Sequence, residues 1–96
     1  MIYNVILTKE AYTDLSSLGK NTALWLQKIL EGKLSANPLE YGKPLRGNLT
    51  GYFKLKISIY RVVYTVYRGK LTVVVIAIGK RKDGKIYEEA LKRTRK

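Results

Sequence analysis

The sequence predicts an α+β fold: a small antiparallel four-stranded sheet, an N-terminal helical hairpin on one of its faces and a short C-terminal helix, in the order β-α-α-β-β-β-α. Three observations predict it. Before Asn37, two neighbouring segments repeat apolar residues at spacings of three and four, the period of helices that bury one stripe. After Gly51, three strand-like segments follow one another through links short enough only for hairpins. The chain has 96 residues, enough for one modest core and too few for two, so 1–96 is expected to be a single domain.

Ile2 to Leu7 is apolar and β-branched apart from Tyr3 and Asn4, and reads as a buried strand. Thr8 is placed to cap a helix whose apolar positions are Ala11, Leu15 and Leu18. That helix is expected to stop at Gly19, a residue suited to a left-handed cap. Asn21 starts the second helix, with Leu24, Trp25, Ile29, Leu30 and Leu34 as its apolar stripe, Gly32 as a weak point and Asn37-Pro38 beyond its end. The segment from Asn37 to Gly51 is expected to be a loop. The meander then runs Tyr52 to Ile57, Tyr60 to Tyr67 and Leu71 to Ile78. Ser58 and Ile59 leave room only for a tight link, and in Arg68-Gly69-Lys70 the glycine is expected to take the positive φ of the turn. Gly79 to Gly84 is a basic loop, and Ile86 to Arg95 is a helix with Glu88 to Lys92 and Glu89 to Arg93 paired at i,i+4.

Composition narrows the chemistry. There is no cysteine and no histidine, which removes disulfides, thiolate zinc sites and the usual general base near neutral pH. Catalysis must use Lys, Arg, Tyr, Asp or Glu, with no metal and no cofactor expected. No run approaches the roughly 20 apolar residues that cross a bilayer, and Met1 opens directly on a strand pattern without a signal region. The chain as given is therefore expected to be the mature, cytoplasmic protein, away from membranes. Net charge is +12, and its distribution matters more than its size. Residues 1–40 hold Lys9, Lys20, Lys28 and Lys33 against Glu10, Asp14, Glu31 and Glu40, so the whole excess lies beyond them. A neutral segment joined to so basic a one points to a polyanion such as nucleic acid.

Alternation along Tyr52 to Ile57 turns Phe53, Leu55 and Ile57 one way and Tyr52, Lys54 and Lys56 the other. Two lysines thus share a surface and can hold adjacent phosphates of one backbone, although lysines on an ordinary solvent-facing strand would read the same. Arg61 begins the next strand, where a cross-strand partner of the pair would sit, and three cations on one face repel unless an anion joins them. Arg81 follows the last strand in Gly79-Lys80-Arg81-Lys82, and a guanidinium there can grip a phosphate through two parallel hydrogen bonds. Lys80, Lys82 and Arg46 are further candidate phosphate ligands, Arg46 being equally suited to a structural ion pair. Tyr87, in the first turn of the last helix, could stack on a base or anchor that helix beside Leu91.

Taken together, Pro44-Leu45-Arg46-Gly47, Phe53-Lys54-Leu55-Lys56, Tyr60-Arg61-Val62-Val63-Tyr64 and Val75-Ile76-Ala77-Ile78-Gly79-Lys80-Arg81, followed by Tyr87 and Ala90-Leu91-Lys92-Arg93, resemble the RelE-type toxins of the RelE/ParE superfamily. The resemblance covers the whole chain, and its specific part runs from Lys43 to Arg93. It implies a toxin of a toxin–antitoxin system, an endoribonuclease that needs no metal. Such an enzyme cuts mRNA codons in the ribosomal A site by attack of a ribose 2′-hydroxyl on the adjacent phosphate. On that likeness Lys54 and Lys56 hold the scissile backbone and help deprotonate the hydroxyl. Arg61 and Arg81 neutralise charge on the phosphorane-like transition state, and Tyr87 stacks on a base or acts as general base. The implied partners are ribosome-bound mRNA and an acidic RelB-like antitoxin. The link between Lys56 and Arg61 is about two residues shorter than in the family pattern. Branches that use His or Glu for proton transfer fit less well, since His is absent and Glu does not occur between Tyr41 and Ile86. Two alternatives share the features: a ParE-like inhibitor of DNA gyrase, and a non-catalytic protein that binds RNA or the ribosome through the same basic face.

Overall fold

A computed structural model describes residues 2–81 and 85–95. The chain runs β1 (Asn4–Leu7), α1 (Lys9–Ser16), α2 (Lys20–Ala36), α3 (Pro38–Tyr41), β2 (Lys43–Pro44), β3 (Tyr52–Ile57), β4 (Tyr60–Tyr67), β5 (Thr72–Lys80) and α4 (Ile86–Thr94), with 3₁₀ turns at Gly47–Leu49 and Arg68–Lys70. The fold class is the one the sequence predicts, with two differences in the sheet. There are five strands rather than four, because the expected loop after Asn37 contains both α3, opened by Pro38, and the two-residue strand β2. The sheet is also not wholly antiparallel. Its order is β1-β5-β4-β3-β2, and β1 lies parallel to β5 with Asn4 opposite Thr72. Three antiparallel pairings build inward from β2, fixing the direction of β5, and the entry into α1 fixes that of β1.

The hairpin face carries the main core. Ala11 and Leu15 of α1, with Leu26, Leu30 and Leu34 of α2, pack on Leu55, Ile57, Val62, Tyr64, Val73, Val75 and Ile78. Thr8 accepts the Ala11 N–H as the cap of α1. Gly19 has a φ of 95° but caps the start of α2, which begins at Lys20, one residue earlier than expected. The buried stripe of α2 also differs: Leu26, Leu30 and Leu34 are fully buried, while Leu24 and Trp25 are about half exposed. At about 100° per residue, Leu24 lies roughly opposite Leu26, and Trp25 sits at the flank, its ring tilted against Tyr60.

Both links in the meander place positive φ on residues other than glycine. Ser58 has a φ of 56° in the two-residue turn between β3 and β4. In the next turn Leu71, not Gly69, takes the left-handed conformation, with φ and ψ both 47°. A single 3₁₀ turn followed by one left-handed residue closes a four-residue hairpin loop without needing glycine earlier.

The second face is half covered. Helix α4 lays Ile86 and Ala90, with Tyr87 and Leu91 at their side, on Val63, Ile76 and Ala77, joined by Leu49. Beyond Val75, strand β5 outruns β1, leaving backbone groups on that edge without a strand to bond. Asp14 of α1 and Arg93 of α4 supply the partners: Asp14 Oδ2 accepts from the Ile78 N–H, and Arg93 Nη1 donates to the Ile76 carbonyl. The two side chains also pair with each other, at 2.7 Å and 3.1 Å. The Asp14 hydrogen bond holds the Arg93 guanidinium above its ordinary value, burial opposing it. Arg93 Nε lies 3.6 Å from Glu89, the i,i+4 pair expected from sequence, while Glu88 and Lys92 form no ion pair among the described residues.

Candidate active site

The open half of the second face carries the cations. Along β3, Leu55 and Ile57 enter the main core, so Lys54 and Lys56 project from the other side, about 7 Å apart along the strand. Arg61 is directly opposite Lys56, and on its other flank pairs with Gly79 of β5. The short turn therefore does not displace Arg61; it sets the register that puts a guanidinium beside an ammonium. Gly79 lies under Ile86, at ordinary contact distance. The row Lys56, Arg61, Gly79 thus ends where α4 begins, and Tyr87 is the next residue along that helix.

Arg61 is half buried, and its Nη1 donates to the carbonyls of Ser58 and Tyr60, 3.2 Å and 2.9 Å away. These bonds fold the side chain over the turn and leave its other N–H groups for a ligand. Arg81 is exposed, and its backbone N–H donates to the Ile59 carbonyl at 2.6 Å. The same tight turn thus organises both arginines. Tyr87 is half buried against the second core cluster, on the face that carries the cations.

The remaining candidates divide. Lys80 pairs with Tyr60, whose ring belongs to the hairpin face, so Lys80 projects away from Lys54, Lys56 and Arg61. The cause is a bulge in β5: Val63 faces Ala77 but Tyr64 faces Val75, leaving Ile76 as an extra residue. One extra residue exchanges the faces of everything beyond it. Gly79 gains the face of Arg61 and Lys80 loses it, while Arg81 lies just past the end of the strand. Arg46 is exposed beside the first turn of 3₁₀ helix, at the Tyr52 end of β3, about 13 Å of strand from Lys56. It forms no ion pair among the described residues. Lys82 lies outside the described residues. No group of three or more His, Cys, Asp or Glu able to hold a metal gathers among the described residues.

Sequence reading missed Lys43. It stands opposite Lys54 on β2 and so extends the cationic row to the sheet edge. A strand of two residues has no periodicity to detect, and only the register reveals it. Tyr64 was also missed as a determinant of this edge. Fully buried, it donates its hydroxyl to the Pro38 carbonyl, and burial pushes its pKa up to about 12, against a lowering contact with the Gly42 backbone.

Comparison with known proteins identifies the family. The family of the ParE toxin of type II toxin–antitoxin systems matches residues 5–84. The mRNA interferase toxin RelE of Escherichia coli is 37% identical over 94 residues, which span 97% of this chain and 98% of its own. The chain belongs to the RelE/ParE toxin family, as a RelE-type member. Solved RelE structures share its fold. The RelBE2 toxin–antitoxin complex of Mycobacterium tuberculosis includes a chain that superposes with a TM-score of 0.80 at 33% identity, covering 84% of this chain and 93% of that one. A mutant of E. coli RelE in the free state gives 0.74 at 33% identity, covering 97% and 98%. The family description carries the ParE name and the near-full-length relative is an mRNA interferase.

Proposed function

We propose that residues 1–96 act as one unit, an endoribonuclease that cuts mRNA in the ribosomal A site and arrests translation. The observation that carries this reading is the row Lys54, Lys56 and Arg61, set by strand register, none of the three paired with a carboxylate among the described residues. Likeness to an mRNA interferase over almost the whole chain supports it. Cutting by a 2′-hydroxyl requires a backbone held in line, a base for the hydroxyl proton, stabilisation of the phosphorane and a proton for the leaving 5′-oxygen. Lys54 and Lys56 grip the backbone on either side of the scissile bond, and one of them takes or relays the hydroxyl proton. Arg61, already fixed over its turn, and Arg81 direct their N–H groups at the oxygens on which charge grows. Tyr87 stacks on a base of the codon or serves as the general base.

Such a site is rich in electrostatic stabilisation and poor in groups that exchange protons readily near pH 7, so it depends on substrate geometry. Holding the reacting atoms in line can contribute ~7 kcal/mol or more. The ribosome supplies this by gripping the codon. Mapping RNA ends after the pure protein meets programmed ribosomes, and separately the naked transcript, tests the proposal. Sharp cuts within A-site codons and sparse cutting of free RNA are expected. Equal cutting of both would make the protein a free ribonuclease, and intact RNA with blocked supercoiling would return it to the ParE activity. An antitoxin of the RelB type is the proposed partner, as in the M. tuberculosis complex. Among the described residues no helix is long and apolar enough to cross a membrane, and the cytoplasm, where ribosomes are, is the proposed location.

A further inference from the structure

The sheet edge beyond Lys54 gathers further cations around one cavity. Lys43 and Lys54 face each other across the β2–β3 pair, and like charges directly opposite on neighbouring strands destabilise a sheet. They adjoin a cavity of about 110 Å³ lined by Tyr41, Lys43, Lys54, Leu55 and Lys56. Neither wall supplies a counter-ion: Asp83 is the sole acid between Tyr41 and Ile86 in the sequence, and exposed Glu40 pairs with none of these lysines among the described residues. The Tyr41 ring is 47% exposed, and Lys33 Nζ sits 4.5 Å from its centroid.

This edge is also held in shape. Tyr64 ties down Pro38, and it lies so close under Gly42 that a Cβ there would meet its hydroxyl at 2.0 Å. Those two anchors flank Tyr41, and Gly42 directly precedes Lys43. Tyr41 and Lys43 thus line one cationic cavity from a backbone held in place beside them, and a ring with cations is the combination that binds single-stranded nucleic acid through backbone charge and base stacking.

We propose that Tyr41 and Lys43 form a second nucleotide subsite, in which Lys43 with Lys54 holds the phosphate next to the scissile one and Tyr41 stacks on the base attached to it. The substrate strand therefore crosses the sheet from Arg61 toward β2. This rests on the ribonuclease reading for its substrate, and the subsite is a binding element that leaves the chemical step to the residues named above.

Steady-state cleavage on programmed ribosomes and a direct binding measurement test it together. Lys43→Ala and Tyr41→Ala should raise KM by roughly 5-fold or more with kcat retained. Lys43→Arg and Tyr41→Phe, which keep the charge and the ring, should stay near the parent. Lys43→Ala should also reduce the slope of affinity against salt by about one unit. In the second arm, a 5′-phosphorylated dinucleotide lacking the reactive 2′-hydroxyl is titrated into the isotopically labelled protein. Resonances of Tyr41 and Lys43 should move with those of Lys54 and Lys56, and the shift at Tyr41 should vanish in Lys43→Ala. An unchanged KM for Lys43→Ala overturns the subsite, even if affinity for an acidic partner falls. So do shifts confined to Lys54, Lys56 and Arg61, and so does an equal loss of affinity for vacant ribosomes, which would assign Lys43 to ribosomal RNA. Absence of cleavage by the parent, with the Tyr41 and Lys43 shifts present, retires the nuclease reading and supports the subsite.

Discussion

Arg61 is oriented before any substrate arrives, because two backbone carbonyls of its own turn hold one of its nitrogens. A donor fixed in advance stabilises transition-state charge without reorganising. Arg61→Ala and Arg81→Ala are each expected to lower A-site cleavage by roughly 10²- to 10³-fold while leaving the circular dichroism and melting profile of the parent. A folded variant that cuts at the parental rate would remove that arginine from the mechanism. Tyr64 makes a different prediction. Its folded-state pKa of about 12 lies above the ordinary phenol value of 10.0, so between these values the folded state keeps a proton that the unfolded chain releases. Its contribution is complete below pH 10 and is lost as pH rises toward 12. Denaturation followed at both pH values should show a steeper loss for the parent than for Tyr64→Phe. At neutral pH the variant should be less stable by about 1–3 kcal/mol, since the Pro38 carbonyl is left buried without its donor.

Helix α4 carries Tyr87, and an ion pair spanning most of the chain adds to its apolar attachment. Arg93 and Asp14 are 14% and 22% exposed, and between them they satisfy two backbone groups of β5 as well as each other. Arg93→Ala leaves a carboxylate and a carbonyl without their shared donor, a loss of roughly 2–4 kcal/mol. Amide hydrogen exchange should show α4 opening far more often in this variant than β3 and β4, with cleavage reduced because Tyr87 loses its position. Uniform exchange across the molecule would mean that α4 is held by its apolar face alone. The tight β3–β4 turn is the second decisive element: it organises Arg61 through Ser58 and Tyr60, and Arg81 through Ile59. The shortening of this link relative to the family pattern is thus compatible with an assembled site.

At the scale of the whole molecule, a net charge of +12 with an open cationic face calls for an anionic cover whenever the toxin must be silent. An acidic partner encoded beside it should co-purify, rescue growth and bind less tightly as salt rises past the screening range. Failure of every neighbouring gene product to do so would count against the toxin–antitoxin assignment. The sequence by itself determined the order of helices and strands apart from α3 and β2, the basic character of the second half, and the shared face of Lys54 and Lys56. Each of these follows from period or composition, which a few consecutive residues express through their own backbone geometry. Tertiary structure alone decided the parallel pairing of β1 with β5, the presence of Lys43 opposite Lys54, and the exclusion of Lys80 from the face that Arg61 occupies. It alone joined Asp14 to Arg93 across 79 positions. Register, bulges and distant ion pairs belong to the meeting of two segments, and no pattern within either segment encodes where that meeting occurs.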